Sequence, residues 1–345
     1  MTTTETTELH EPTAGAAPKL PTWAFCLAVL VIQLGFVLSF VGAFHSPTPH
    51  EISLRVVAPE PVAQSITDGF SNAPHRPVDA VVASTEADAM DDLRSGRTSG
   101  VYIVDPAGTT DTLAIASAGG TSVATALEKI VDRAAASNNR TIVVDDEVPL
   151  QAGDANGLTG FYLVVGWIIG GYLLAAVLGI TSGAKPSTLR GMSVRLGVFL
   201  PYAVLSGLGG ALVVGPLLGA VEIDTAALTL AGTLIVLASA YTTVALQSLF
   251  GIVGIAITIV VFVVLGNPSA GGAYQPGLLP PFWSALSTGV PNGAGTDLVR
   301  RMVYFDFAGV GPSIAVLLTW VVIAVAVAFT VTALRTRRID HTTTR

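Results

Sequence analysis

The longest uncharged stretch of the chain runs from Thr225 to Thr296 and contains no Asp, Glu, Lys, Arg or His. About 20 helical residues cross the hydrocarbon core of a bilayer, so this stretch has room for two membrane-spanning helices. Its apolar part predicts a helical hairpin at Ala226–Leu246 and Leu249–Gly266, with the turn at Gln247–Ser248. A buried hairpin in a soluble protein is the alternative, but soluble cores rarely exclude charge for so long. We therefore expect an integral membrane protein.

Four further apolar runs cover Trp23–Phe44, Leu158–Ile180, Leu196–Leu218 and Val310–Leu334. With the hairpin they predict six transmembrane helices, and the first run is too long for the apolar part of a cleaved signal peptide. The predicted organisation is a disordered cytoplasmic tail at 1–21, a first transmembrane helix at 22–44, a domain at 45–157, a five-helix membrane block at 158–334 with an outer re-entrant or interfacial loop at 267–309, and a cytoplasmic tail at 335–345.

Residues 45–157 have the composition of a soluble domain, in which strand-like and helix-like patterns alternate. The predicted strands are Glu51–Ala58, Pro77–Ala83, Gly100–Asp105, Thr112–Ser117 and Thr141–Val144, and the predicted helices are Pro61–Phe70, Glu86–Arg94 and Thr121–Ala136. This β-α-β-α-β-β-α-β order favours a small sheet with helices packed on it. The predicted fold class is an α-helical integral membrane protein with an α/β domain inserted between its first and second helices.

Charge in the short loops predicts the orientation. The loop Thr181–Arg195 contains Lys185, Arg190 and Arg195 and no acid, and the segment Arg335–Arg338 follows the last apolar run. Cytoplasmic loops are enriched in Lys and Arg, so both segments are expected inside the cell. An even number of spans then places both termini in the cytoplasm and residues 45–157 outside the plasma membrane.

Composition agrees with a multi-pass membrane protein. Hydrophobic residues make up 51% of the chain and charged residues 12%, with a mean hydropathy of +0.66. The one cysteine, Cys26, lies in the first apolar run, which leaves no disulfide framework and no zinc–thiolate site. We expect membrane lipids, and no nucleic acid, as partners.

No motif indicates an enzyme. His45, His50 and His75 lack the spacing of metal ligands. The chain contains no GxxxxGK[ST] phosphate loop, so it is not expected to hydrolyse ATP, and no cofactor is expected in it. None of the predicted spans has an ionisable residue in its middle, which argues against a proton-coupled transporter.

Small residues at helical spacing predict close contacts between helices. Gly166 and Gly170 form one such pair, and Gly207 and Ala211 form another. Packing within one subunit and a dimer seam both explain them. Gln247, near the hairpin turn, is expected to bond another helix.

The predicted loop 267–309 is too patterned for a plain connector. Its segments Leu278–Leu286 and Gly293–Phe305 predict two short amphipathic helices at the membrane interface. The candidate residues of an outer substrate gate are Tyr274, Phe282, Trp283, Arg300, Tyr304 and Phe305. Anchoring at lipid headgroups is the alternative for the aromatic residues Trp283, Tyr304 and Phe305.

Three parts of this loop resemble a known family. They are Gly266-Asn-Pro-Ser-Ala-Gly-Gly-Ala-Tyr274, Leu278-Leu-Pro-Pro-Phe-Trp283 and Asp297-Leu-Val-Arg300. Together with the helix order and the segment Ala87–Asp105, they resemble type-2 ABC transporter permeases of the phage-infection-protein (YhgE/Pip-like) group. The resemblance covers about residues 22–335, and the chain departs from it in lacking a clear amphipathic helix before the first span.

The resemblance implies the membrane subunit of an exporter that works as a dimer of permeases and pairs with an ATPase, which would hold ATP and Mg²⁺. The substrate would be a lipid, a lipophilic drug or a cell-envelope component. The expected ATPase-coupling loop contains Lys185, Ser187, Thr188, Leu189, Arg190 and Arg195, although topological anchoring alone also explains its bases. The alternative function is a membrane-anchored envelope receptor or scaffold whose outer domain binds a partner.

Overall fold

The computed structural model describes residues 22–343, and the tail predicted at 1–21 lies outside this range. The α-helices are α1 (Thr22–Phe44), α2 (Val62–Ser71), α3 (Glu86–Arg94), α4 (Thr121–Ala136), α5 (Thr159–Thr181), α6 (Leu189–Leu212), α7 (Thr225–Phe250), α8 (Val253–Ile259), α9 (Pro281–Ser287), α10 (Pro291–Tyr304) and α11 (Gly311–Thr343). The strands are β1 (Ile52–Val57), β2 (Val78–Val82), β3 (Gly100–Ile103), β4 (Thr110–Ile115) and β5 (Thr141–Asp146).

Five of the described helices, α1, α5, α6, α7 and α11, are long and apolar enough to cross a membrane, where the sequence predicted six. The sixth, predicted at Leu249–Gly266, consists of the seven-residue α8 and a seven-residue π-helical stretch, Val260–Gly266. At an α-helical rise these residues span about 20 Å, against about 30 Å of hydrocarbon. The turn predicted at Gln247–Ser248 is wrong, because α7 continues to Phe250 and the chain turns at Gly251, whose φ is +67°.

Two further helix ends differ from the prediction. α6 begins at Leu189, seven residues before the predicted Leu196, because the Thr188 hydroxyl accepts a hydrogen bond from the Gly191 N–H (3.0 Å) and caps the helix. Arg190 and Arg195 therefore lie in α6, and not in a loop as predicted. α11 runs past its predicted end at Leu334 and reaches Thr343.

α7 lies in the middle of the membrane block, packed against α5, α6, α10 and α11. The backbones of α5 and α7 come close at Gly171, where an added Cβ would lie 2.6 Å from the Val236 carbonyl oxygen. The Ser239 hydroxyl donates to the Ile168 carbonyl (2.7 Å) across the same interface. Further along, the Gln247 amide donates to the carbonyl of Ala175 (3.0 Å). Hydrogen bonds between helices thus accompany the close packing.

The small residues singled out in the sequence lie in different surroundings. A Cβ added at Gly170 would lie 2.9 Å from the Tyr202 hydroxyl, and one added at Gly207 would lie 2.5 Å from the Thr229 carbonyl oxygen. At Gly166 an added Cβ would meet no described atom within 4 Å. Contacts within one chain therefore account for Gly170 and Gly207.

Residues 45–157, called the α/β part below, contain one five-stranded sheet in the order β2-β1-β3-β4-β5. β3 and β4 are antiparallel and every other pair is parallel. The strands and helices follow each other in the predicted order. Alternate residues of β1 face opposite sides: Leu54 packs in the core beneath α2 and α4, whereas Val57 packs on the side covered by α3.

The α/β part lies at the end of the membrane block where α1 stops and α5 starts. The segment before β1 pairs with the loop after the π-helical stretch: the Thr48 N–H donates to the Leu278 carbonyl (3.2 Å), and the His50 N–H donates to the Gly277 carbonyl (2.9 Å). The Leu278 side chain is itself buried in the core of the sheet. The loop and the α/β part therefore share one hydrophobic core.

Candidate functional site

α10 joins the membrane block to the α/β part. It starts at Pro291, which suits the first helical turn because the N–H that proline lacks has no helical partner there. Small residues follow: a Cβ at Gly295 would lie 2.9 Å from the Val164 side chain, and one at Gly293 would overlap the Ser287 carbonyl. Most of α10 is buried against α5, α7 and α11. The predicted interfacial helix is thus enclosed by protein over most of its surface.

The end of α10 enters the core of the sheet. Phe305, the residue after the helix, is only 5% exposed and packs with Ala89, Leu93 and Val101 on the side of the sheet that α3 covers. Headgroup anchoring is therefore wrong for this residue. The aromatic ring fixes the α/β part to the last turn of α10.

Charged side chains on α10 hold it to its neighbours. The Arg301 guanidinium donates to both carboxylate oxygens of Asp297 (3.0 Å each), and the Ser313 hydroxyl of α11 donates to the same carboxylate (2.6 Å). Arg300 donates to the Gly271 carbonyl (2.7 Å) in the preceding loop. These charge-assisted bonds are stronger than neutral ones.

Tyr304 connects α10 to the start of α5. Its hydroxyl donates to Asp154 (2.8 Å), and the other carboxylate oxygen accepts from the backbone N–H (2.9 Å) and hydroxyl (2.6 Å) of Thr159. Burial and the neighbouring Asp154 carboxylate raise the pKa of Tyr304 above its ordinary value, so the phenol keeps its proton at neutral pH. Sequence reasoning missed Asp154, although an acid shortly before an apolar helix is a helix-start signal.

The charged residues of α10 lie between two cavities. One cavity, of about 230 Å³, opens between α10 and the α/β part, and the other, of about 260 Å³, opens towards α9 and α11. Asp297, Arg300 and Arg301 line both cavities. The buried Gln275 side-chain oxygen, beside the first cavity, has no hydrogen-bond partner among the described residues. The junction can therefore hold water or a polar group of a ligand.

The structure brings together only half of the predicted gate residues. Arg300, Tyr304 and Phe305 lie within one and a half turns of each other at the end of α10. Tyr274 lies apart, with its ring centre 5.7 Å from that of Phe44 at the end of α1. The last two, Phe282 and Trp283, contact each other on α9, where Phe282 is exposed.

The predicted coupling residues lie at the opposite end of the membrane block. Arg195 is buried and points inward, where it donates to the carbonyl of Leu178 in the last turn of α5 and to that of Gly183 just beyond the helix, so it does not offer its charge to a partner. The Ser187 carbonyl accepts a hydrogen bond from Thr336 of α11 (3.1 Å). The side chains of Lys185, Ser187, Thr188, Leu189 and Arg190 are exposed.

An apolar tip at the same end was missed by sequence reasoning. Where α7 turns into α8, Phe250 is 51% exposed and Ile252 is 58% exposed. A Cβ added at Gly251, between them, would lie 3.2 Å from Lys185, so the tip adjoins the basic loop. A Gly inside an apolar run is a turn signal that would have indicated the tip.

Comparison with family models gives a match to the ABC-2 family transporter proteins over residues 22–330. The chain belongs to this family. An ABC-2 protein of this kind is a multi-pass membrane subunit of an ABC transporter, is not itself an ATPase, and works with an ATP-binding partner. No curated protein and no solved structure matches the chain significantly.

Proposed function

We propose that this ABC-2 subunit is the permease of an ATP-driven exporter that moves a lipophilic or cell-envelope substrate outward. A separate ATP-binding subunit holds ATP and Mg²⁺, and a second permease copy or a paralogue completes the transporter. The α/β part is on the outer side of the plasma membrane and both termini are in the cytoplasm. The resemblance to the phage-infection-protein group supports the outward direction.

The observation that carries this proposal is the charge difference between the two ends of the membrane block. The end with the apolar tip holds only bases among the described side chains: Lys185, Arg190, Arg195, Arg335 and Arg337. The end at the α/β part holds the acids Asp154, Glu222, Asp224, Asp297 and Asp306 together with Arg300 and Arg301. The excess of bases supports a cytoplasmic position for the first end, where an ATP-binding subunit works.

The position of α10 supports a gate at the outer end. Its first half packs among the membrane helices and Phe305 packs in the sheet, so a shift of α5, α7 or α11 is transmitted to the α/β part through one rigid helix. Such a shift would also change the two cavities beside Arg300 and Arg301. Opening towards the outside is thereby linked to movement of the spans.

The test is co-purification with an ATP-binding subunit, chosen from reading frames beside the gene. With the tagged chain in detergent, we expect ATP hydrolysis only when this subunit is present. Because interface anchors contribute at least about 2 kcal/mol, Leu189→Asp and Phe250→Asp should weaken association about 30-fold. Phe307→Asp, an exposed position at the opposite end, is the matched control and should have no effect.

Two results would contradict the proposal. Equal association of the wild type, Leu189→Asp and Phe250→Asp would remove the coupling role of this end. Failure of every ATP-binding subunit to associate, combined with capture of an envelope protein by the α/β part, would favour the receptor or scaffold function.

A further inference from the structure

α2 and α4 lie on the same side of the sheet but leave an opening between them. The opening, about 550 Å³ in volume, is lined by the apolar side chains of Ile66 and Phe70 from α2, Val104 after β3, and Ile130 from α4. Ligand sites typically enclose about 300–1,000 Å³ and are mostly apolar. The opening therefore has the size and the lining of a ligand site, and we call it the α2–α4 groove.

The charged groups at the far end of the groove are paired with each other. The Arg140 guanidinium donates to both carboxylate oxygens of the fully buried Asp111, and the Tyr102 hydroxyl donates to one of them (2.6 Å). Because this charge pair is complete, it attracts no net charge into the groove. The part of a ligand that lies there is apolar.

A second cavity continues the groove towards the membrane. It measures about 520 Å³ and shares Ile130 with the first, so the two follow each other along α4. Its lining includes Pro47 and Pro49, which come directly after α1, and Tyr274, whose ring lies beside Phe44 at the end of α1. The groove thus runs from the end of a membrane-spanning helix across the sheet.

Two bases stand at the side of this second cavity. Lys129 and Arg133 are exposed, lie one turn apart on α4 and line the cavity. Neither makes an ion pair with any residue that the structure describes. The neighbouring acids Glu128 and Asp132 do not line the cavity, so the side of the cavity carries positive charge that a bound anion would neutralise. The charge and the apolar groove together match a molecule with an anionic head and an apolar chain.

We propose that the α2–α4 groove binds an anionic membrane lipid, with one acyl chain between α2 and α4 and the headgroup at Lys129 and Arg133. This site names the class of molecule that the proposed exporter would move. The proposal depends on the proposed function only for the step from binding to transport. Binding itself needs no ATP-binding subunit, so binding and export can be tested independently.

The experiment uses the full chain in nanodiscs of phosphatidylcholine that contain a phosphatidylglycerol with a photoreactive diazirine on one acyl chain. After irradiation, mass spectrometry locates the cross-linked peptides. We expect cross-links in α2 and α4. Parallel samples contain the same diazirine on phosphatidylcholine, which should label the groove less than phosphatidylglycerol does because its headgroup carries no net charge, or on a free fatty acid, which distinguishes a fatty-acid site from a membrane-lipid site.

Two variants and their matched controls test the site. Ser65→Trp, at an exposed position that lines the groove, should fill it and lower the cross-linking yield, whereas Gln64→Trp, the neighbouring position outside the lining, should not. Lys129→Gln combined with Arg133→Gln should lower the yield for phosphatidylglycerol about threefold to tenfold, as expected for two exposed charge contacts. Arg97→Gln, which removes a base on the other side of the sheet, is the charge control and should leave the yield unchanged.

Three results would overturn the proposal. One is cross-linking in Ser65→Trp equal to that in Gln64→Trp. Another is an equal yield for the anionic and the neutral lipid. The third is groove labelling by the free fatty acid without labelling by phosphatidylglycerol. None of these results would affect the co-purification test of the proposed function.

Discussion

The burial of Phe305 leads to a quantitative prediction. Replacing a buried Phe with Ala typically costs about 3–5 kcal/mol, because transfer energy is lost and a cavity remains. Phe305 lies at a helix end, where the chain can relax towards the hole, so we expect about 3 kcal/mol for Phe305→Ala. This cost falls on the side of the sheet where Ala89 and Leu93 of α3 belong to the same hydrophobic cluster as the ring. The α3 side of the sheet should then open about 100-fold more often.

Hydrogen exchange of the purified full chain, followed by mass spectrometry, measures this opening. Peptides covering β1, β3 and α3 should exchange about 100-fold faster in Phe305→Ala than in the wild type. Phe307→Ala is the control, because Phe307 is exposed two residues further along and such substitutions usually change stability by less than about 0.5 kcal/mol. Phe305→Leu should be intermediate, since it keeps part of the buried side chain.

Unchanged exchange of these peptides in Phe305→Ala would refute the role of the ring in joining α10 to the sheet. An equal acceleration of exchange in Phe307→Ala would refute it as well, because removing an exposed ring would then have the same effect as removing the buried one.

Three further predictions concern the α/β part, the orientation and the membrane block. Burial raises the pKa of Asp111, but hydrogen bonds from Arg140 and Tyr102 outweigh this effect and hold the pKa below its ordinary value of 3.8. The resulting stability is present above pH 3.8 and is lost as the pH falls through the folded pKa. The melting temperatures of the wild type and of Asp111→Asn should therefore converge in acid. In a Cys26→Ser background, Ser71→Cys should react with an impermeant thiol reagent on intact cells and Ser187→Cys only after permeabilisation, and the reverse would invert the orientation. Gly171→Leu should abolish a monodisperse size-exclusion peak while Gly166→Leu keeps it, because of these two glycines only Gly171 abuts another backbone; equal behaviour would contradict this packing.

Local sequence patterns were sufficient to predict those elements whose position depends only on their own residues. The uncharged stretch placed α7 within one residue of its observed start, because exclusion of charge reflects the bilayer and the protein interior directly. In the α/β part, alternation and helix period gave the elements in their observed order. The early start of α6 could also have been predicted from the sequence, since Thr188 is a residue type that caps helices.

The length of the sixth apolar helix could not be predicted from the sequence. Its second half is π-helical, and the Phe262 carbonyl accepts a hydrogen bond from Asn292 of α10 (3.0 Å). The partner that satisfies this backbone group therefore lies 30 residues away in sequence. Hydropathy measures the affinity of a segment for lipid, and it contains no information about such a partner.

The sequence by itself determined that this chain is a multi-pass membrane protein, which residues are apolar, and where most elements lie, because these properties depend on each segment and its solvent. Only the tertiary structure decided what α10 does. Its pattern of Leu298, Val299 and Met302 beside Arg300 suits a membrane surface equally well, yet the helix packs among other helices and ends in the core of the sheet. Which surface an amphipathic helix covers depends on the shape of distant neighbours, and those neighbours are brought together only by folding.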